Sequence, residues 1–241
     1  MEDRDLAFLK ECNNDSLRLL ADTIVYDKDG AERFTEQLSG TDIYKENYPN
    51  HMVEIVPRMV DEIQRYGGNT FFNMYRGHGV TYREILEQVA SRLKVNYNKS
   101  NSTELIEQYL LQHILIMSID KMTEEDLKHF SEKYSKADLK AKIGLLEVGS
   151  PLFIRLTGII VLQLSKRFAQ NTVLGILSKL VGGRAFAFLT GPIGWVLSGM
   201  WAAFDVAGPA YRVLIPCTIT VAYLRQIKDK TDEEMENIFS R

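Results

Sequence analysis

The densest group of chemically capable side chains is Arg76-Gly77-His78-Gly79, followed at once by Tyr82-Arg83-Glu84. Two guanidinium groups, an imidazole and glycines that let the backbone approach a ligand would suit an anion at the amide-rich start of a helix. Arg76, His78 and Arg83 are therefore the candidate anion-binding residues. The surroundings are not those of a nucleotide site: neither G-x-x-x-x-G-K-[ST] nor G-x-G-x-x-G occurs, and no strand precedes the glycines. A tight interhelical turn with surface arginines accounts for the same residues. As a general base His78 would need a partner that the sequence does not place. His51, His113 and His129 show no metal-ligand spacing, and no serine-nucleophile or zinc-hydrolase motif is present.

A second candidate is Asp27-Lys28-Asp29-Gly30. With Gly30 at position 6 of a calcium loop, Asp27, Asp29 and Glu36 fall at positions 3, 5 and 12, but position 1 would be Val25, which offers no oxygen. A plain turn is expected there. No metal, cofactor or catalytic residue is expected anywhere in the chain.

A third group is charge in apolar surroundings. Asp205 and Arg212 are seven residues apart with Pro209 between them, and Arg184 precedes the same stretch. Buried charges are costly unless paired, so Asp205 is expected to pair with Arg212 or Arg184. A protonation switch that eases entry into lipid is the functional alternative.

These charges border the most apolar part of the chain, 173–224. Residues 185–204 carry no charge over 20 positions, the length of a bilayer-crossing helix. Gly191-Pro192, Gly194, Pro209 and Pro216 cut that stretch into pieces of roughly 10–15 residues, the length of core helices, so one straight span is not expected. Phe186, Phe188, Trp195, Trp201 and Phe204 are the residues expected to contact a membrane or an apolar partner.

Composition sharpens this contrast. Residues 1–147 hold 19 Lys and Arg against 26 Asp and Glu, whereas 148–224 hold six basic residues and one acidic. A basic apolar segment favours anionic lipid surfaces. Cys12 and Cys217 give no disulfide framework, and the acidic start MEDRDLAFLKE lacks the pattern of a signal peptide. A cytoplasmic location with inner-membrane association is the expectation.

The elements that must position these residues read as helices. Asp5 and then Asn14 or Asp15 are expected to cap two short helices before residue 26. Residues 51–66 carry Val53, Val56, Val60 and Ile63 on one face. Thr81 with Glu84 forms a capping box ahead of Ile85, Leu86, Val89 and Leu93. Asn96 to Ser102 reads as a polar loop. Ser102 or Thr103 opens an apolar helix, and Thr123 with Asp126 opens another. Lys133 to Lys142 reads as a linker, and the segment from Arg225 as a solvated tail with a cap at Thr231. No stretch alternates apolar and polar for long, so the fold class is all-α, a multi-helix bundle with an apolar, glycine-rich C-terminal helical hairpin.

RGHGVTYREIL (76–86), VNYNK (95–99), GPIGW (191–195), AGPAYRVLIP (207–216) and the opening DLAFLKECNNDSL (5–17) with YDKDG (26–30) resemble the bacterial YaaW-like family over nearly the whole chain. That family in turn weakly resembles the ubiquinol–cytochrome c chaperone group, whose members help assemble a respiratory membrane complex. The likeness concerns the middle helices and carries over no catalytic residue.

The reading is an acidic helical domain over 1–145, an apolar basic helical region over 146–224 and a charged tail over 225–241, the first break being equally compatible with a boundary inside one bundle. The expected function is non-enzymatic interaction with an anionic membrane surface or an apolar protein partner through 148–224, in the manner of a chaperone or assembly factor. A soluble bundle with an anion-binding or enzymatic site at 76–84, and a membrane-permeabilising protein that inserts its C-terminal hairpin, are the alternatives. No nucleic-acid partner is expected, and the sequence does not fix the oligomeric state.

Overall fold

The computed structural model describes residues 3–68, 80–130, 134–164, 191–200 and 210–240. Among them the secondary structure is helical apart from one isolated antiparallel bridge between Tyr26 and Glu32.

A 3-10 helix, Arg4–Glu11, opens the described chain, capped by Asp3 rather than Asp5. Helix α1, Asn14–Val25, is capped by Asn13, whose side chain accepts from the Ser16 amide. Both caps lie one or two positions before the expected residues, since an Asx side chain reaches the amide two or three positions on. The turn after α1 uses Asp27 Oδ1 to accept from the amides of Asp29 and Ala31 at 2.9 Å each, and Gly30 takes a φ of 86° that favours glycine. Helix α2, Asp42–Asn47, is short. A 3-10 turn at Met52–Ile55 leads into α3, Val56–Gly68, where Pro57 sits in the tolerated first turn.

Helix α4, Tyr82–Arg92, carries the complete capping box of Thr81 and Glu84, and Ser102 caps α5, Thr103–Lys121. Helix α6, Glu124–Phe130, follows. The expected linker is a helix, α7, Lys136–Gly144, with a capping box of Ser135 and Asp138. Its charge masked two core positions one turn apart, Leu139 and Ile143, which bury against α5. Helix α8, Pro151–Leu162, has proline at its first position and buries most of its length.

The helix around which the others pack comes late in the chain. Helix α9, Tyr211–Ile227, contacts α1, α3, α4, α5, α8 and the opening 3-10 helix. Apolar nearly all round, it has no solvent face to spare, as a helix enclosed by protein requires. Pro216 lies inside it and does not end it. The missing backbone hydrogen bond is outweighed by burial on every side. Its two threonines find partners: Thr218 donates to the Leu214 carbonyl at 2.7 Å, and the Thr220 and Thr23 hydroxyls meet at 3.2 Å across α9 and α1.

The segment from Arg225 is not a solvated tail. Arg225, Gln226 and Ile227 are the last turn of α9, largely withdrawn from water. Helix α10, Asp232–Ser240, opens with Thr231 and Glu234 capping each other and seats Met235, Ile238 and Phe239 against α8. Residues 191–200 are helical, with Ile193, Val196, Leu197 and Met200 buried. Among the described residues no helix is long and apolar enough to cross a membrane.

Candidate functional site

Two polar constructions stand out, and only one faces solvent. The buried one joins five elements. Glu107 of α5 is 2% exposed. It accepts from the Tyr82 hydroxyl at 2.7 Å and from Arg225 Nε at 2.7 Å and Nη2 at 3.2 Å. Arg225 Nη2 also donates to the Asp5 carbonyl at 2.6 Å, and its guanidinium carbon lies 4.1 Å from the Phe8 ring centroid. Asp3 extends the network, accepting from the Tyr82 amide at 2.6 Å and from Gln64 Nε2 at 3.1 Å.

Burial pushes the Glu107 carboxyl above its usual range, while Arg225 and the Tyr82 hydroxyl oppose the shift. Burial also drives the Tyr82 phenol well up. Largely enclosed and densely hydrogen-bonded, this cluster joins α9 to α3, α4, α5 and the chain's opening, where it serves to hold the fold together. It is a buried ion pair, Glu107 with Arg225, distinct from the one expected at Asp205. Glu107 had a signal of its own, a carboxylate on the stripe Thr103, Ile106, Leu110, Leu111, Ile114, every other member of which is apolar or a helix-start threonine.

The construction that faces solvent is a cleft of about 720 Å³ lined by Arg92, Leu93, Lys94, Met117, Lys121, Trp195, Val196, Gly199 and Met200. Its volume lies within the range of roughly 300–1,000 Å³ typical of ligand sites. Three elements build it. Helix α4 ends with Arg92, and α5 ends with Met117 and Lys121 one turn apart. The helical residues 191–200 supply Trp195 and Gly199, again one turn apart, with Val196 and Met200 beside them. The floor is apolar and the cations stand at the helix ends. Trp195 is 74% exposed, an unusual position for an indole with no other evident duty.

Lys94 is set by an uncommon backbone. It has a φ of 58°, the one positive value at a non-glycine residue among the described residues. It is the left-handed residue just past the helix cap in a Schellman motif, in which the Val95 amide bonds the Ala90 carbonyl at 2.9 Å and the Lys94 amide bonds the Ser91 carbonyl at 3.1 Å. Glycine is the usual occupant of that position, and a side chain there costs about 1 kcal/mol or more. Arg92 is held with its guanidinium carbon 5.6 Å from the Tyr211 ring centroid. Among the described residues neither Lys94 nor Lys121 pairs with a carboxylate, and none lines the cleft. The two helix C-termini that end here offset about half a charge each, so three cations leave the cleft net positive.

Of the residues singled out by sequence, Arg83 is engaged in tying α4 to the polar loop. Its Nε donates to Glu87 at 2.7 Å, Nη1 to the Asn101 carbonyl at 2.8 Å and Nη2 to the Lys99 carbonyl at 3.0 Å. Arg76 and His78 lie outside the described residues, as do Asp205, Arg184, Phe186, Phe188, Trp201 and Phe204. Arg212 stands exposed in the first turn of α9. Trp195 is at the cleft. The cleft's own cations escaped the sequence reading because Arg92 and Lys121 look like ordinary basic partners of helix C-termini. The one available signal was Lys94 where a glycine or asparagine would end a helix.

Residues 1–34, which include Asp3 and Asp5 of the buried network, match a family model described as a domain of unknown function, DUF3944. No solved structure matches the chain. A UPF0174 protein of Helicobacter pylori strain J99 is 37% identical across 98% of this chain and 96% of its own length. The UPF0174 protein YaaW of Escherichia coli strain K12 is 31% identical across 96% of this chain and 97% of its own. Likeness of that extent runs through every element described above, and the chain belongs to the YaaW-like UPF0174 family.

Proposed function

We propose that the protein works by interaction, without catalysis, and that it engages an anionic membrane surface at the cytoplasmic face of the inner membrane through 148–224 and the cleft beside it. The observation that carries this is the cleft: three cations around an apolar floor, with an exposed tryptophan at the rim. Tryptophan favours the membrane interface, where one side of the ring meets lipid and the other water. Each cation near an anionic surface contributes about 1 kcal/mol, so the three together favour anionic over neutral vesicles by roughly a hundredfold. The excess of basic residues over 148–224 adds to the same field.

Flotation with anionic and with neutral vesicles, at low and moderate salt, tests the reading. Binding only to anionic vesicles, weakened by salt and by Lys94→Glu with Lys121→Glu, is the expected result. Absence of binding to either vesicle would overturn it.

A second reading, an apolar protein partner of the kind an assembly factor holds, draws on a different surface. Leu145, Val148 and Leu152 are exposed together where α7 passes into α8. Crosslinking from position 148 to a respiratory-complex subunit, lost in Leu145→Ser with Leu152→Ser, would support it, and retention of the crosslink in that variant would sink it. The inserting-hairpin alternative and the site at 76–84 rest largely on residues outside those described.

A further inference from the structure

We infer that the cleft seats one anionic phospholipid, drawn part-way from the bilayer, with its phosphate among Arg92, Lys94 and Lys121 and the start of an acyl chain along Met117, Val196 and Met200. This rests on the membrane reading and narrows it from attraction by a surface to recognition of a single molecule.

Three observations go beyond surface charge. The first is depth. A surface that reads only charge needs no apolar floor, yet here Val196 and Met200 are buried side chains that still line an open volume of about 720 Å³. The second is the placement of Lys94. Its left-handed backbone sets the side-chain direction at an energetic cost, whereas a cation that only contributes to a field can sit anywhere on the surface. The third is Gly199. A Cβ added there meets nothing within 4 Å, so close packing of the helix does not require the glycine. The missing side chain leaves room on the cleft wall one turn from Trp195. Cations on the rim, apolar side chains beneath and an indole at the mouth match an amphiphile whose head is anionic and whose tail is hydrocarbon. A bare anion would leave the floor unused, and a neutral lipid would leave the cations unanswered.

The test uses the full-length protein and short-chain lipids below their micelle concentration, so that no bilayer is present. Dihexanoyl phosphatidylglycerol, dihexanoyl phosphatidylcholine and inorganic phosphate are titrated separately and followed by calorimetry and by amide NMR shifts. Vesicle flotation is run beside them. The phosphatidylglycerol is expected to bind and to shift the amides of Lys94 and Gly199, with the phosphatidylcholine weaker by about tenfold or more. Lys94→Glu with Lys121→Glu should lose both short-chain lipid and vesicles. Gly199→Leu fills the wall with helix-favouring residue volume and leaves the charge intact, so it should lose the short-chain lipid and keep salt-sensitive vesicle binding. Circular dichroism melting checks that both variants are folded, and the wild-type shifts stand without either.

Equal binding of the two lipids would overturn the inference, because the head would not be read. Phosphate shifting the same amides as strongly as the lipid, or unchanged lipid binding by Gly199→Leu, would also overturn it. Vesicle binding without short-chain lipid binding would remove the single-lipid site and leave the membrane reading standing. Failure of both would remove the two together.

Discussion

Arg225→Leu should destabilise the protein in a manner that depends on pH. In the native protein Glu107 shares its two oxygens between Arg225 and the Tyr82 hydroxyl, and it is 2% exposed. Leucine removes the cation and leaves the carboxylate buried with one hydrogen bond. Breaking a buried pair from one side costs about 3–5 kcal/mol. At roughly 2–4 °C per kcal/mol for a chain of this size, the melting temperature falls by about 6–20 °C at neutral pH.

The sign of the pH dependence follows from the direction of the Glu107 shift. Burial already holds this carboxyl above its usual range, with Arg225 pulling the other way. Without Arg225 the folded-state value rises further above that of the unfolded chain. Stability from such a group is fully present below the unfolded carboxylate value and is lost as pH rises through the folded one. The deficit of Arg225→Leu should therefore be largest near pH 8 and shrink toward pH 5, as the stranded carboxyl takes up a proton. Urea unfolding of wild type and variant at pH 5, 6.5 and 8 measures it. A deficit of the same size at all three would show that lost packing on Phe8, and not a stranded charge, is the cause. Adding Glu107→Leu should restore part of the loss, since apolar replacement of a whole buried pair is often neutral.

Lys94→Gly should raise stability by about 0.5–1 kcal/mol in urea melts, the relief of left-handed strain exceeding glycine's entropy cost, while weakening vesicle flotation; a loss of stability would deny that the backbone there is strained. Gly67→Ala should cost about 1–3 kcal/mol, because its Cβ would stand 2.6 Å from Ile85 Cγ1 where α3 meets α4; an unchanged melting temperature would contradict that close approach. Burial pushes the thiols of Cys12 and Cys217 up to about 12. Neither should react with a disulfide reagent at pH 8 until the protein unfolds, when both do; rapid native labelling would place one of them at the surface.

Local signals in the sequence were legible where one element carries the whole message. The capping box of Thr81 and Glu84 and the cap at Ser102 could be read because their partners lie three residues away. Helix α7 was obscured by its charge, since two apolar residues among lysines resemble a linker. Glu107 and Arg225 are 118 positions apart, and no local pattern pairs them. The cleft is assembled from 92–94, 117–121 and 195–200, so its chemistry exists only after folding. The C-terminal apolar helix carried a genuine ambiguity. A helix that is apolar all round can be enclosed by protein or by lipid, and composition alone does not distinguish them. For α9 it is protein, supplied largely by helices from the first half of the chain.

That arrangement has a consequence for the order of events at the ribosome. Helix α1 rests on α9, and Thr23 waits for Thr220, 197 residues later. At roughly 5–20 residues per second of synthesis, the face of α1 that α9 will cover stays uncovered for about 10–40 s in every nascent chain. Helices α1, α3, α4 and α5 can form and associate during that interval, but the axle they are shaped to surround has not yet been made. Translation that halts before residue 211 leaves a ring of amphipathic helices with nothing at its centre, a species suited to capture by chaperones and proteases. Completion of the fold thus reports that translation has passed the sequence of α9.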